Sequence, residues 1–121
     1  MRLNPDCIRD ILLFVESNTD YEKECVSLDE LLSELPYNKN TLSYHISKMD
    51  SAELFEEVYY SGDGIDLISS LSWIGHTYLD NIRDDSVWIK TKSALGKLSS
   101  VGLPILIQKA ADIATTSLFN S

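Results

Sequence analysis

The chain has 121 residues and a formal net charge of −9, with 44% hydrophobic and 24% charged residues. That is one domain's worth of chain, apolar enough for a modest core without disulfide or metal staples. The two cysteines, Cys7 and Cys25, do not form a disulfide framework. No basic-then-apolar leader opens the sequence and no run reaches the ~18 apolar residues of a membrane span, so a reducing cytoplasm is the expected compartment.

Asn4-Pro5-Asp6 reads as a helix start: an N-cap, a proline at the first helical position and an acid at the positive end of the dipole. Ile8, Ile11, Leu12 and Val15 then recur at helical spacing to about Ser17-Asn18. Asn18 to Glu24 is a polar, acidic surface loop, and Cys25-Val26 a short strand. Ser27 and Glu30 stand three apart as a capping box, ahead of a stripe of Leu28, Leu31, Leu32 and Leu35 that Pro36 ends. A turn over Tyr37–Asn40 leads to a second helix, capped by Asn38 or Asn40 and running to about Ala52. Leu42, Ile46 and Met49 face its core side.

Glu56 to Tyr60 and Ile65 to Ile68 are strand candidates, joined by the turn Ser61-Gly62-Asp63-Gly64. Ser72 caps a further helix carrying Ile74, Tyr78, Leu79 and Ile82. Asp84-Asp85 interrupts it or opens the next, which carries Val87, Trp88 and Leu95. Gly96 to Pro104 is a break, and a C-terminal apolar helix follows from Leu103.

This order of helix, turn, helix, hairpin and helix predicts a mainly α fold with a small β-hairpin, an α+β class. It reads as a winged helix-turn-helix core over 1–85 with a C-terminal helical extension over 86–121, an element for packing or oligomerisation. Leu71-Ser-Trp-Ile-Gly-His-Thr-Tyr-Leu79 resembles the L-T-x-x-G-x-x-x-L pattern that follows the wing in many winged-helix proteins. There, the helix after the wing packs back on the core. Nearly the whole chain also resembles a small family of phages and prophages catalogued only as a domain of unknown function. The matching segments are Leu3-Asn-Pro-Asp-Cys-Ile-Arg-Asp-Ile-Leu12, Tyr44-His45-Ile46, Ile65-Asp-Leu-Ile68 and Trp73-Ile-Gly-His-Thr-Tyr-Leu-Asp-Asn-Ile-Arg-Asp-Asp85. The resemblance implies a winged-helix core and a phage or prophage origin, hence the cytoplasm of a bacterial host cell. It implies no activity.

Candidate sites follow from residue type and spacing. Cys7, Cys25, His45 and His76 do not lie within two to four residues of one another, as structural zinc ligands usually do, so no metal is expected. No nucleophile elbow, phosphate loop, dinucleotide fingerprint or zinc-protease motif is present, so neither a cofactor nor an enzyme is expected. Lys39, Asn40, Ser43, Tyr44, Ser47 and Lys48 form the polar face of the second helix, the one that would enter a major groove. That face lacks arginine, and the hairpin that would be the wing carries Asp63 and Asp66.

Residues 1–85 hold 18 acidic and 6 basic side chains, a net −12, whereas residues 86–121 hold 1 and 4, a net +3. Nonspecific nucleic-acid affinity comes mainly from Lys and Arg, so so acidic a body argues against it. Glu22, Glu24, Asp29, Glu30, Glu34, Glu56 and Glu57 are instead a candidate surface for a basic partner. The stripe of Leu103, Leu106, Ile107, Ala110, Ile113, Ala114 and Leu118 either folds back on the core or builds an oligomer.

The expected function is that of a non-enzymatic, acidic phage-type interaction protein. It binds a protein partner and inhibits a nucleic-acid-handling or defence protein of the host. The alternative is a dimeric, sequence-specific DNA-binding transcriptional regulator. A protein partner and self-association through the C-terminal helix are expected; DNA belongs to the alternative.

Overall fold

A computed structural model describes residues 1–62, 64–95 and 102–119, with side chains to Ser117. Asp63 of the expected wing, most of the 96–104 break and the side chain of Leu118 lie outside the described residues. The elements are α1 (Pro5–Asn18), β1 (Cys25–Ser27), α2 (Leu28–Glu34), α3 (Lys39–Ser51), β2 (Val58–Ser61), β3 (Gly64–Ser69), α4 (Trp73–Ile82), α5 (Asp85–Leu95) and α6 (Leu103–Phe119). The protein is thus mostly helical with a small antiparallel sheet, the α+β class expected.

Local chemistry sets most helix ends. Asn4 Oδ1 accepts the Asp6 N–H at 3.0 Å at the start of α1. The capping box of α2 closes both ways: Ser27 Oγ accepts from Glu30 N at 3.1 Å, and Glu30 Oε2 accepts from Ser27 N at 2.7 Å. Of the two asparagines expected to cap α3, Asn38 is the cap and accepts from Thr41 N at 2.8 Å, while Asn40 lies in the first turn. Asp84 opens α5 by accepting from Ser86 and Val87 N–H groups.

The end of α3 is a Schellman turn. Glu53 N–H donates to Asp50 O at 2.9 Å and Leu54 N–H to Met49 O at 3.0 Å, with Glu53 left-handed at φ 62°. A glutamate thus stands where glycine is usual. The turn aims Leu54 O at the start of α4, where it accepts the Ser72 N–H at 3.0 Å. Gly75 passes so close that a Cβ there would lie 2.0 Å from Leu54 O. This close approach is the physical content of the L-x-x-x-G-x-x-x-L pattern: only a residue without Cβ lets α4 sit on the α3–β2 turn.

The sheet contains the expected hairpin, β2–β3, and adds β1 along its other edge. It has three antiparallel strands in the order β1-β3-β2, with Val26 and Val58 both opposite Ile68. These three buried side chains face the helices. By alternation, Glu57, Tyr59 and Ser69 lie on the other face.

Helices α1 to α4 close over the sheet's inner face, and α5 and α6 pack against α4 to extend the same core. Leu103, Leu106 and Ala110 of α6 are buried in that core, and Ile107 packs against it half-buried. Ile113 and Ala114 are half-buried. Much of the stripe read as an oligomer face is therefore covered by the chain's own helices. One stripe residue of α4 was misplaced: Ile74 is 39% exposed, and the buried position beside it belongs to Gly75.

Candidate functional site

The polar face of α3 lies where the sequence put it. Lys39, Asn40, Ser47 and Lys48 are exposed, and Ser43 and Tyr44 are half-buried. Lys48 Nζ lies 5.7 Å from the centre of the Tyr44 ring, a cation–π contact. The helix is fixed from behind by His45, which is buried with both ring nitrogens bonded. Its Nδ1–H donates to Thr41 O at 2.8 Å, and its Nε2 accepts the Asn4 N–H at 2.8 Å. This neutral tautomer ties the N-terminal segment to α3 across 41 residues of sequence.

That tie brings residues to α3 that spacing did not reveal. Met1, Arg2 and Leu3 join Tyr44, Lys48 and the Gly102–Pro104 start of α6 around a groove of about 410 Å³. Among the described residues, no carboxylate lies within ion-pair reach of Arg2, Lys39 or Lys48. Arg9, Lys23, Arg83 and Lys92 are each paired with Asp or Glu.

The seven acids read as one partner surface do not all line one groove. Glu30 is engaged by Lys23 and by the capping box with Ser27, which hold its carboxyl below the ordinary range. Glu30 and Glu34 border a small hollow with Phe14, Asn18 and Ser33. Asp29 is exposed in the first turn of α2, and Glu22 is exposed in the 19–24 loop. Glu24, Glu56 and Glu57 do come together, in an open groove of about 820 Å³.

This larger groove also gathers residues that the sequence left unassigned. Glu16 and Asp20 add carboxylates, Tyr21, Tyr59 and Trp73 add aromatic rings, and His76 borders it. Tyr21 is fully exposed, Trp73 is 83% exposed and Tyr59 is 48% exposed. No lysine or arginine lines the groove among the described residues.

Two of its acids have structural roles. Arg83 grips Glu16 with two hydrogen bonds of 2.8 and 2.7 Å, which hold the Glu16 carboxyl below its ordinary pKa. Asp20 accepts the N–H groups of Lys23 and Glu22 at 2.7 and 2.8 Å, which lowers its pKa and shapes the loop presenting Tyr21 and Glu24. Glu24, Glu56 and Glu57 have no ion-pair partner among the described residues. The missed residues carried a weak signal: an exposed aromatic directly after the Ser72 cap and a tyrosine inside an acidic loop.

Other chemistry is sparse. Cys7 is buried, and burial first, then Asp10, pushes its thiol up to about 12. Among the described residues, no three His, Cys, Asp or Glu side chains are placed to hold a metal ion. No helix among them is long and apolar enough to cross a membrane.

The model of a family described as "Hypothetical protein (DUF2513)", a domain of unknown function, matches residues 2–102. The chain belongs to the DUF2513 family. The match runs from the N-terminal segment beside α3 to Gly102, just before α6, so it spans every residue of the larger groove. Another relative of this DUF2513 chain is an uncharacterized protein of Haemophilus influenzae (strain ATCC 51907 / DSM 11121 / KW20 / Rd), 34% identical. The alignment covers 98% of this chain and 99% of that protein. No solved structure matches the DUF2513 chain.

Proposed function

We propose that this DUF2513 protein is a non-enzymatic winged-helix interaction module that binds a basic segment of a protein partner in the larger groove. In this reading α2 and α3 are the helix-turn-helix and the β2–β3 hairpin is the wing. The observation that carries it is the groove's lining. Among the described residues, Glu24, Glu56 and Glu57, which have no ion-pair partner, line it together with exposed aromatic rings, and no lysine or arginine does. A cleft lined by one sign of charge concentrates the opposite sign, and aromatic side chains supply contact area at low entropic cost.

A partner segment of this chemistry is also one that would bind phosphates, so occupying it inhibits nucleic-acid handling. The test is capture of basic proteins by the wild-type chain and by Glu56→Gln/Glu57→Gln. Binding should fall with salt, fall further with the double substitution, and compete with added DNA for the partner. Equal capture by both proteins would end this reading.

A second reading, a dimeric sequence-specific DNA-binding regulator, draws on a different observation. Arg2, Lys39 and Lys48 stand on the α3 side without acidic partners among the described residues. Lys48→Ala should then weaken binding to an operator fragment and reduce its salt dependence by about one phosphate contact. Failure of the wild-type chain to shift any fragment at low salt would exclude it.

A further inference from the structure

The chain contains, at Trp88, a worked case of how its aromatic rings and carboxylates hold a cation. The Arg9 guanidinium lies 5.5 Å from the Trp88 ring centre and the Lys92 ammonium 5.4 Å from it. Each is also held by a carboxylate: Asp85 takes Arg9 at 3.1 Å and Asp6 takes Lys92 at 3.1 Å. The two cations are not equivalent. While it lies over the ring, Arg9 also donates to the carbonyls of Ile82 and Arg83, whereas Lys92 makes the one bond to Asp6. A planar guanidinium does both tasks at once; an ammonium divides its few donors between them.

Trp73 repeats the ring and the acids without the cation. It is 83% exposed at the first position of α4, and it shares the larger groove with Glu56, Glu57 and Tyr59. Trp88, by contrast, is 4% exposed. Among the described residues, three of the four strongly exposed aromatic side chains, Tyr21, Tyr59 and Trp73, line this one groove, so the exposure is concentrated rather than scattered. The groove's volume of about 820 Å³ is of the size of a binding site.

We infer that the groove selects arginine, over lysine, in the basic segment it binds, with a guanidinium stacked on Trp73 and hydrogen-bonded to Glu56 or Glu57. This rests on the reading of the groove as the site for a basic protein segment. It adds the identity of the anchoring side chain.

The experiment compares two six-residue peptides of equal charge, one alternating glycine with arginine and one alternating glycine with lysine, by titration against the full chain. The arginine peptide should bind about fivefold tighter. Trp73→Ala should remove that preference, and Glu56→Gln/Glu57→Gln should weaken both peptides. A charge-matched control outside the groove, Asp29→Asn/Glu34→Gln, should change neither by as much.

Acrylamide quenching of the unmodified protein gives a second readout, since Trp73 is open to the quencher and Trp88 is not. The arginine peptide should shield Trp73. Equal affinity for the two peptides, or the same preference in Trp73→Ala, overturns the arginine inference but leaves the groove reading in place. If the groove and control substitutions weaken binding alike, or neither peptide shields Trp73, the groove reading falls as well.

Discussion

Replacing Gly75 with alanine tests the closest contact in the fold. The new Cβ would lie 2.0 Å from Leu54 O, 3.0 Å from Leu54 C and 3.3 Å from Leu71 Cβ. A carbon normally approaches a carbonyl oxygen to about 3.3 Å, so α4 and the α3–β2 turn must part by roughly 1.3 Å. The obstacle is backbone, not a flexible side-chain tip. The turn is itself held by the Leu54 N–H bond to Met49 O and by Ser72, which donates its N–H to Leu54 O and its hydroxyl to Glu53 O. Moving apart loses about two hydrogen bonds at ~1 kcal/mol each and adds about 1–3 kcal/mol of overpacking around buried Leu54 and Leu71. The higher helix propensity of alanine returns at most about 1 kcal/mol. Gly75→Ala should therefore cost ~2–4 kcal/mol, read as a lower urea midpoint by circular dichroism and a melting temperature lower by roughly 10 °C. Gly62→Ala is the control, since nothing lies within 4 Å of its added Cβ; it should stay within about 0.5 kcal/mol of the parent. A Gly75→Ala protein as stable as the parent, or more so, would refute the close-approach argument.

Other consequences of the packing are as direct. The Tyr78 hydroxyl is buried with no hydrogen-bond partner among the described residues, and burial raises its pKa far above the usual phenol value. Tyr78→Phe should leave stability unchanged or raise it by up to about 1 kcal/mol in urea unfolding, and a loss of that size would reveal a partner. In native protein the half-buried Cys25 should react with a thiol reagent well before Cys7, whose thiol is raised to about 12 by burial; both should react in denaturant. Two equally fast thiols in the native state would contradict the placement of Cys7. Arg83 lowers the folded pKa of Glu16, so this pair's stabilisation is complete above the unfolded carboxylate value of about 4.3 and fades as pH falls through the lowered one. Thermal melts from pH 7 to pH 2 should show that decline, and Arg83→Met should flatten part of it; parallel curves would remove the assignment.

What could be read from the sequence was what neighbours in sequence decide. Asn4, Ser27, Asn38 and Ser72 cap their helices within three residues, so a linear reading finds them. Periodicity identified Ile8, Ile11, Leu12, Leu42, Ile46 and Met49 as core because each lies on one side of its own helix. It could not say what a buried face packs against. That is why the α6 stripe remained divided between an oligomer and the chain's own core, and why β1 was seen as a strand without its partner β3. The N-terminal side of the α3 groove depends on one bond between Asn4 and His45, 41 residues apart. The larger groove is built from the end of α1, the 19–24 loop, the strand segment 56–59 and residues 69–76. Acidic composition announced some of its residues, but only the fold separates Glu24, Glu56 and Glu57 from Glu30 and Glu34.

The same separation changes what the net charge means. A total of −9 describes an averaged surface, and no partner meets the average. Three of the six bases in residues 1–85 lie in ion pairs among the described residues: Arg9 and Arg83 join α1 to the α4–α5 corner, and Lys23 holds Glu30, while Arg2, Lys39 and Lys48 stand on the α3 side. Of that −12 region, the acids Glu24, Glu56 and Glu57, unpaired among the described residues, lie together in one groove with exposed rings. At an ionic strength of 0.15 M, charges more than about 8 Å apart are largely screened. A ligand therefore responds to the groove it occupies and not to the sum over the chain. By that argument the larger groove and the α3 side must each be tested by substitutions within it rather than by net charge.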